Sequence, residues 1–230
     1  MQTGMKVEIL NQPNSAIAHI QLAIDEEIVA QAGSVMIMSD QLKINTMMQR
    51  GTEKIADNKK NNAKNTAKEK FLFLNSFKAK ETEGEIYLAP PLIGEIFVHT
   101  MSKYKLIVRI NTYLASSSKI EIFSGFDKFK SLFSNESNSW LSLVGEGTVL
   151  ISAFGRATEV DVDGEYIINL ENVIAFENSL NFKLMPSQSI WFQSLVSQQE
   201  SLCHFKGKGK VVCQTHRTKA FTQMLRSELS

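Results

Sequence analysis

The stretch Leu106 to Ile122, LIVRINTYLASSSKIEI, returns 60 residues later as Tyr166 to Phe182, YIINLENVIAFENSLNF. Apolar meets apolar, or polar meets polar, at 16 of the 17 aligned positions. About half would agree by chance at this composition. A third copy, Ile28 to Ile44 (IVAQAGSVMIMSDQLKI), agrees with the Tyr166 copy at all 17 positions when Gly33 counts as polar. Self-similarity at a fixed period implies one supersecondary unit used repeatedly, with each copy too small to bury its own apolar face.

A second unit alternates with the first. Leu143-Val144-Gly145-Glu146-Gly147-Thr148-Val149 recurs 62 residues on as Phe205-Lys206-Gly207-Lys208-Gly209-Lys210-Val211, and Glu83-Gly84-Glu85-Ile86 is a degraded earlier copy. The chain thus predicts three modules of about 60 residues, each of two strand pairs, with Gly84, Gly145, Gly147, Gly207 and Gly209 at tight turns that need φ > 0. Packed around a pseudo-three-fold axis, such modules can close their sheets and hide their edge strands.

Strand signals surround these units. Alternation or β-branched enrichment marks His19–Ile24, Gln41–Ile44, Phe71–Phe77, Glu85–Leu88, Glu95–His99, Lys105–Ile110, Lys119–Phe123, Thr148–Ala153, Thr158–Val162, Tyr166–Leu170 and Lys210–Gln214. The expectation is a single all-β domain over residues 1–230. Residues 218–230 form a short C-terminal helix, since Phe221, Met224, Leu225 and Leu229 share one face after a Thr218 cap. Packing on the domain itself is the expected use of Phe221 and Leu225. Asp127–Phe133 suggests one helical turn, and Ile190–Ser197 fits neither period.

The first two copies of the first unit lie 78 residues apart against 60 for the next two, an excess of about 18. It falls in residues 47–70, MMQRGTEKIADNKKNNAKNTAKEK, which reads as a polar inserted loop without its own core.

Composition narrows the function classes. Lys and Arg number 25 against 24 Asp and Glu in 230 residues, a net +1 that leaves no overall basic footprint for nucleic acid. Two cysteines exclude a disulfide-rich secreted scaffold. The start MQTGMKVEIL has no apolar core of a signal peptide, and no apolar run is long enough for a transmembrane helix. A cytoplasmic location is the expectation.

Candidate chemistry is sparse. Cys203, His204, Cys213 and His216 are the right types for zinc. If Gly207-Lys208-Gly209 is a hairpin turn, however, Cys203 and Cys213 oppose each other on one face while His204 points to the other, which favours two buried structural thiols. The pairs Asp25/Glu27 and Asp163/Glu165 sit at matching places in two units; acid–base work or calcium is conceivable, and structural turns explain them with fewer assumptions. No nucleophile elbow, zinc-protease or P-loop motif occurs. The glycine-rich turns precede strands, so no helix N-terminus is there to hold a phosphate. Lys59, Lys60, Lys64 and Lys68 in the inserted loop could meet a partner; the lack of aromatic residues there disfavours nucleic acid.

Ala32-Gly33-Ser34-Val35-Met36-Ile37-Met38, Phe73-Leu74-Asn75-Ser76-Phe77 leading to Gly84-Glu85-Ile86-Tyr87-Leu88-Ala89-Pro90, Gly145-Glu146-Gly147, and Phe205-Lys206-Gly207-Lys208-Gly209-Lys210-Val211 with Gln214-Thr215 stand in a specific order. That order resembles the signatures of the mitochondrial biogenesis altered-inheritance-of-mitochondria 24-like family, over about residues 6–216. The resemblance implies an all-β fold of the type compared with the tryptophan RNA-binding attenuation protein, a double-stranded β-helix-like arrangement. It offers no catalytic residues to carry over. Its eukaryotic members are associated with inner-membrane organisation, which implies a scaffold role. The Lys/Asn-rich loop, where relatives have a glycine-rich passage, and the C-terminal helix are departures, and no function transfers to them.

The expected function is a non-enzymatic β-scaffold that needs no cofactor, binds a protein or membrane-associated partner and forms a homo-oligomer. The alternative is a small-molecule or metal-binding barrel with enzymatic activity, and the third reading is nucleic-acid binding.

Overall fold

The computed structural model describes residues 5–49, 72–102, 104–124, 140–185 and 202–229. The chain begins with β1 (Lys6–Leu10) and β2 (Ile17–Leu22), then β3 (Glu27–Gln31), β4 (Val35–Met38), β5 (Leu42–Gln49), β6 (Leu72–Ala79) and β7 (Gly84–Leu88). β8 (Ile96–Met101) precedes β9 (Lys105–Arg109), β10 (Tyr113–Ser117), β11 (Glu121–Ser124), β12 (Trp140–Val144) and β13 (Gly147–Ser152). Last come β14 (Ala157–Asn169), β15 (Val173–Glu177), β16 (Asn181–Leu184), β17 (Leu202–Gln214) and one helix, α1 (Thr218–Leu229). The protein is predominantly β, and its strands pair antiparallel in several sheets.

The pairing explains the sequence pattern. β3 and β5 flank β6, just as β9 and β11 flank β12, and as residues 165–169 of β14 and β16 flank the first half of β17. β2 and β4 flank β7, as β8 and β10 flank β13, and as residues 157–163 of β14 and β15 flank the second half of β17. β3 then pairs with β10, and β9 with β15. Sheets of order β1-β2-β7-β4, β5-β6-β3-β10-β13-β8 and β11-β12-β9-β15-β17-β14 result, with β16 on β17. A register shift also recurs, at Val35/Ile37, Tyr113/Ala115 and Val173/Ala175. The extra residue of such a bulge bends the strand and increases its twist.

The core forms three apolar clusters, and the central strands feed two clusters each. Ile28 and Ala30 of β3 enter one cluster while Val29 enters the next. Leu106 and Val108 of β9 enter that second cluster while Ile107 enters the third. Successive side chains of a strand point to opposite faces, so an uninterrupted apolar run is what a strand buried on both faces requires.

Several expectations need correction. Thr158–Val162 and Tyr166–Leu170 belong to one strand, β14, which passes through Gly164 without turning back because β17 pairs with it along its whole length. The first type of unit holds three strands in each copy, not a pair: β4, β10 and β15 were missed, and β10 and β15, nearly wholly buried, show no alternation. β5 extends through Gln49, so Met47–Gln49 belong to a strand and not to the inserted loop. The remainder of that loop, with Lys59, Lys60, Lys64 and Lys68, lies outside the described residues, as do Asp127–Phe133 and Ile190–Ser197. Finally, β4 and residues 165–169 of β14 do not pair with each other, so closure of the sheets does not occur between them.

Candidate functional site

Among the described residues, an array of charged side chains follows from one register. Across β14 and β17, Asp161 faces Lys210, Asp163 faces Lys208, and Glu165 faces Lys206. Glu165 accepts from Lys206 Nζ at 2.6 Å and pairs with His204 Nε2 at 2.9 Å; Lys208 reaches Asp163 at 3.8 Å, and Lys210 pairs with Glu159. The hydrogen bond and charge of Lys206 hold the Glu165 carboxyl below its ordinary range. These are exposed cross-strand pairs of modest strength. Asp163 and Glu165 therefore answer lysines rather than each other. Asp25 sits in a turn at φ 69°, donates its N–H to Ala79 O at 2.8 Å and meets Lys78 Nζ at 3.3 Å.

The zinc-type residues are not brought together. Gly207 and Gly209 lie inside β17, so Cys203 and Cys213 are ten positions apart on one strand, about 33 Å along it. The cross-strand arrangement expected from a hairpin is overturned. Both halves of β17 pair with β14, and on the other side the first half pairs with β16 and the second with β15. Burial pushes the Cys203 thiol up to about 12 and that of Cys213 to about 11, so neither is an available thiolate. His204 is held by Glu165, and His216 Nδ1 meets Thr215 Oγ1 at 2.8 Å. Among the described residues, no three His, Cys, Asp or Glu side chains gather as a metal site.

The other glycines also mark crossings, not hairpins. Gly145 links β12 to Gly147 at the start of β13, and those two strands lie in different sheets; Gly84 opens β7 after the chain leaves β6. Gly145 takes φ +133°, and a Cβ there would stand 2.5 Å from Lys119 O. Only a residue without a side chain passes so close to that carbonyl.

Three features escaped sequence reasoning, one between close neighbours in the chain and two between distant segments. His99 Nε2 meets Tyr104 Oη at 2.5 Å, and burial, reinforced by Lys210 and opposed by Glu159, lowers the His99 pKa. His19 stacks on Tyr87 with ring centroids 4.2 Å apart and meets Glu85 at 2.8 Å. Beside it an open groove of about 820 Å³ is lined by Lys6, Gln21, Ser39, Glu83 and Glu85. In the groove wall, Ser39 Oγ accepts from Glu85 N at 3.0 Å, and the Glu85 carboxylate meets His19.

Apolar surface is the more distinctive feature. α1 buries none of its residues; Phe221 touches Phe154 at 5.2 Å between ring centroids, while Met224, Leu225 and Leu229 face solvent. Of the two residues expected to pack on the domain, Phe221 does so against Phe154, while Leu225 stays exposed. No described helix is long and apolar enough to cross a membrane.

Comparison with known proteins agrees with this picture of the fold. Protein SPYM3_0169 from Streptococcus pyogenes, known from a crystal structure, superposes with a TM-score of 0.73 at 16% identity, covering 98% of this chain and 100% of that one. At that identity the likeness concerns the fold. No curated protein shows significant similarity to the chain. Residues 7–216 match the family described as Mitochondrial biogenesis AIM24, nearly the whole length. The chain belongs to the Mitochondrial biogenesis AIM24 family.

Proposed function

We propose that the protein is a non-enzymatic β-scaffold that works by contact, presenting apolar elements to a protein or membrane-associated partner. α1 carries this reading: a 12-residue helix with an uncovered apolar stripe is the form used for docking in a groove or lying on an interface. In the same reading residues 1–230 are one unit of three modules related by a pseudo-three-fold repeat, of the tryptophan RNA-binding attenuation protein-like, double-stranded β-helix type. The recurring pairing order and the recurring bulge support it. The location is cytoplasmic, and Lys59, Lys60, Lys64 and Lys68 add a basic contact. The test is stoichiometric capture from the native cell with full-length protein and with a Leu225→Asp/Leu229→Asp variant. A partner kept by the first and lost by the second bears the reading out. A specific turnover abolished by one polar substitution overturns it.

The groove beside His19 favours a second reading, a small-molecule-binding β protein. Native mass and metal analysis of untagged protein tests it. A stoichiometric bound mass displaced by Glu85→Ala supports ligand binding, and an empty protein removes it.

A further inference from the structure

We infer that the groove beside His19 is a binding site for a short zwitterionic peptide of small residues, with its ammonium and its carboxylate both free. The inference rests on the small-molecule reading of that groove and deepens it by naming the ligand chemistry. The walls come from four places on one sheet: the start of β1, the end of β2, the turn after β4 and the turn that opens β7. The register sets three of the side chains in a row. Lys6 faces Gln21 across β1 and β2, and Gln21 faces Glu85 across β2 and β7. With neighbouring strands about 4.8 Å apart, the backbone positions of the cation and the carboxylate are about 10 Å apart, and an amide stands between them.

The first module differs here from the other two. Gln21 and Glu85 correspond to the facing residues Thr100 and Thr148 in the second module, and to Asp161 and Lys210 in the third. The second pair is uncharged. The third satisfies itself, since Lys210 Nζ lies 3.9 Å from Asp161 and also pairs with Glu159. Among the described residues, no strand pairs with the outer side of β8, or of residues 157–163 of β14, as β1 pairs with β2. β1 thus brings a lysine to a place where the other copies have no third strand.

The groups left over define the ligand. Among the described residues, Lys6, Gln21, Gln41 and Glu83 make no side-chain hydrogen bond or ion pair within the chain. Glu85 is held in place: its Oε2 meets His19 Nε2 at 2.8 Å and accepts from Tyr87 Oη at 3.5 Å, while its N–H donates to Ser39 Oγ at 3.0 Å. Its Oε1 is left for a ligand. Glu83 and Glu85 can accept from the N–H groups of an ammonium, Lys6 can donate to a carboxylate, and the Gln21 amide can donate to and accept from a peptide group. A free amino acid carries both charges on one carbon, whereas an extended chain grows by about 3.3 Å per residue, so about two or three residues match the row. Val7, Leu22 and Ala23 line the same groove and suit small apolar side chains such as alanine. Its volume of about 820 Å³ is ample for such a ligand.

Calorimetric titration of the full-length protein with trialanine, N-acetyl-trialanine, trialanine amide and alanine tests this. Trialanine should bind at one site per chain. Either capped form, like alanine, should bind about tenfold more weakly, because each leaves a charged side chain of the groove unanswered. Lys6→Met protein should no longer distinguish trialanine from its amide, and Glu83→Gln/Glu85→Gln protein should no longer distinguish it from the acetylated form. Each variant keeps its response to the other cap, which a chain that failed to fold would not. No saturable binding of dialanine or trialanine up to about 10 mM, binding indifferent to both caps, or a Lys6→Met variant that still prefers trialanine to its amide would each overturn the inference. Native mass of the untagged protein separates the two readings. A stoichiometric bound molecule that lacks either charge would overturn the peptide inference and leave the small-molecule reading standing.

Discussion

Gly145 and Gly207 occupy matching places in the two clearest copies of the glycine pattern, yet their surroundings differ. A Cβ at Gly145 would be 2.5 Å from a backbone oxygen, whereas at Gly207 the nearest atom is 3.8 Å away, and both have positive φ. Gly145→Ala should therefore lower stability by about 2–3 kcal/mol and Gly207→Ala by about 1, read from urea unfolding midpoints. His99 supplies a pH dependence. Burial keeps its imidazole neutral in the fold, while in the unfolded chain it protonates near its ordinary value of about 6.5. Below that value the unfolded state binds more protons, so stability is full above about pH 6.5 and declines as pH falls towards the lowered folded value. A His99→Gln variant should lose part of the decline in melting temperature between about pH 7.5 and pH 5.5. The sequence pointed to Cys203, His204, Cys213 and His216 because ligand types are legible; their separation along β17 is not, since it depends on whether the chain turns at Gly207-Lys208-Gly209.

At the level of elements, the frame is expected to survive the loss of the inserted segment and of α1. Gln49 and Leu72 face each other at the ends of β5 and β6, so a short turn can replace the intervening chain. Deleting residues 52–68 should leave the melting temperature within about 2 °C of wild type. Ending the chain at Arg217 should cost about 1 kcal/mol or less, since no residue of α1 is buried. Circular dichroism melts check both. The helix was legible from its apolar spacing and its Thr218 start, and so were strands with alternating burial such as β2, β7 and β8. β10 and β15 were not, because a strand buried on both faces has no alternation and resembles any short apolar run.

Across the whole molecule, stability is shared between modules because each central strand fills two clusters. Ile107→Ala, which empties a site between the second and third modules, should cost about 2–5 kcal/mol. Ile167→Ala, at the matching place on an exposed edge, should cost about 1 kcal/mol or less. By itself the sequence determined the β class and the family, both properties of apolar pattern and motif order. Which strands pair, which face each residue takes and where the apolar edges stay open were decided by the tertiary structure. Strand pairing is a contact between segments far apart in the chain, and local pattern specifies that a face must be covered without specifying what covers it.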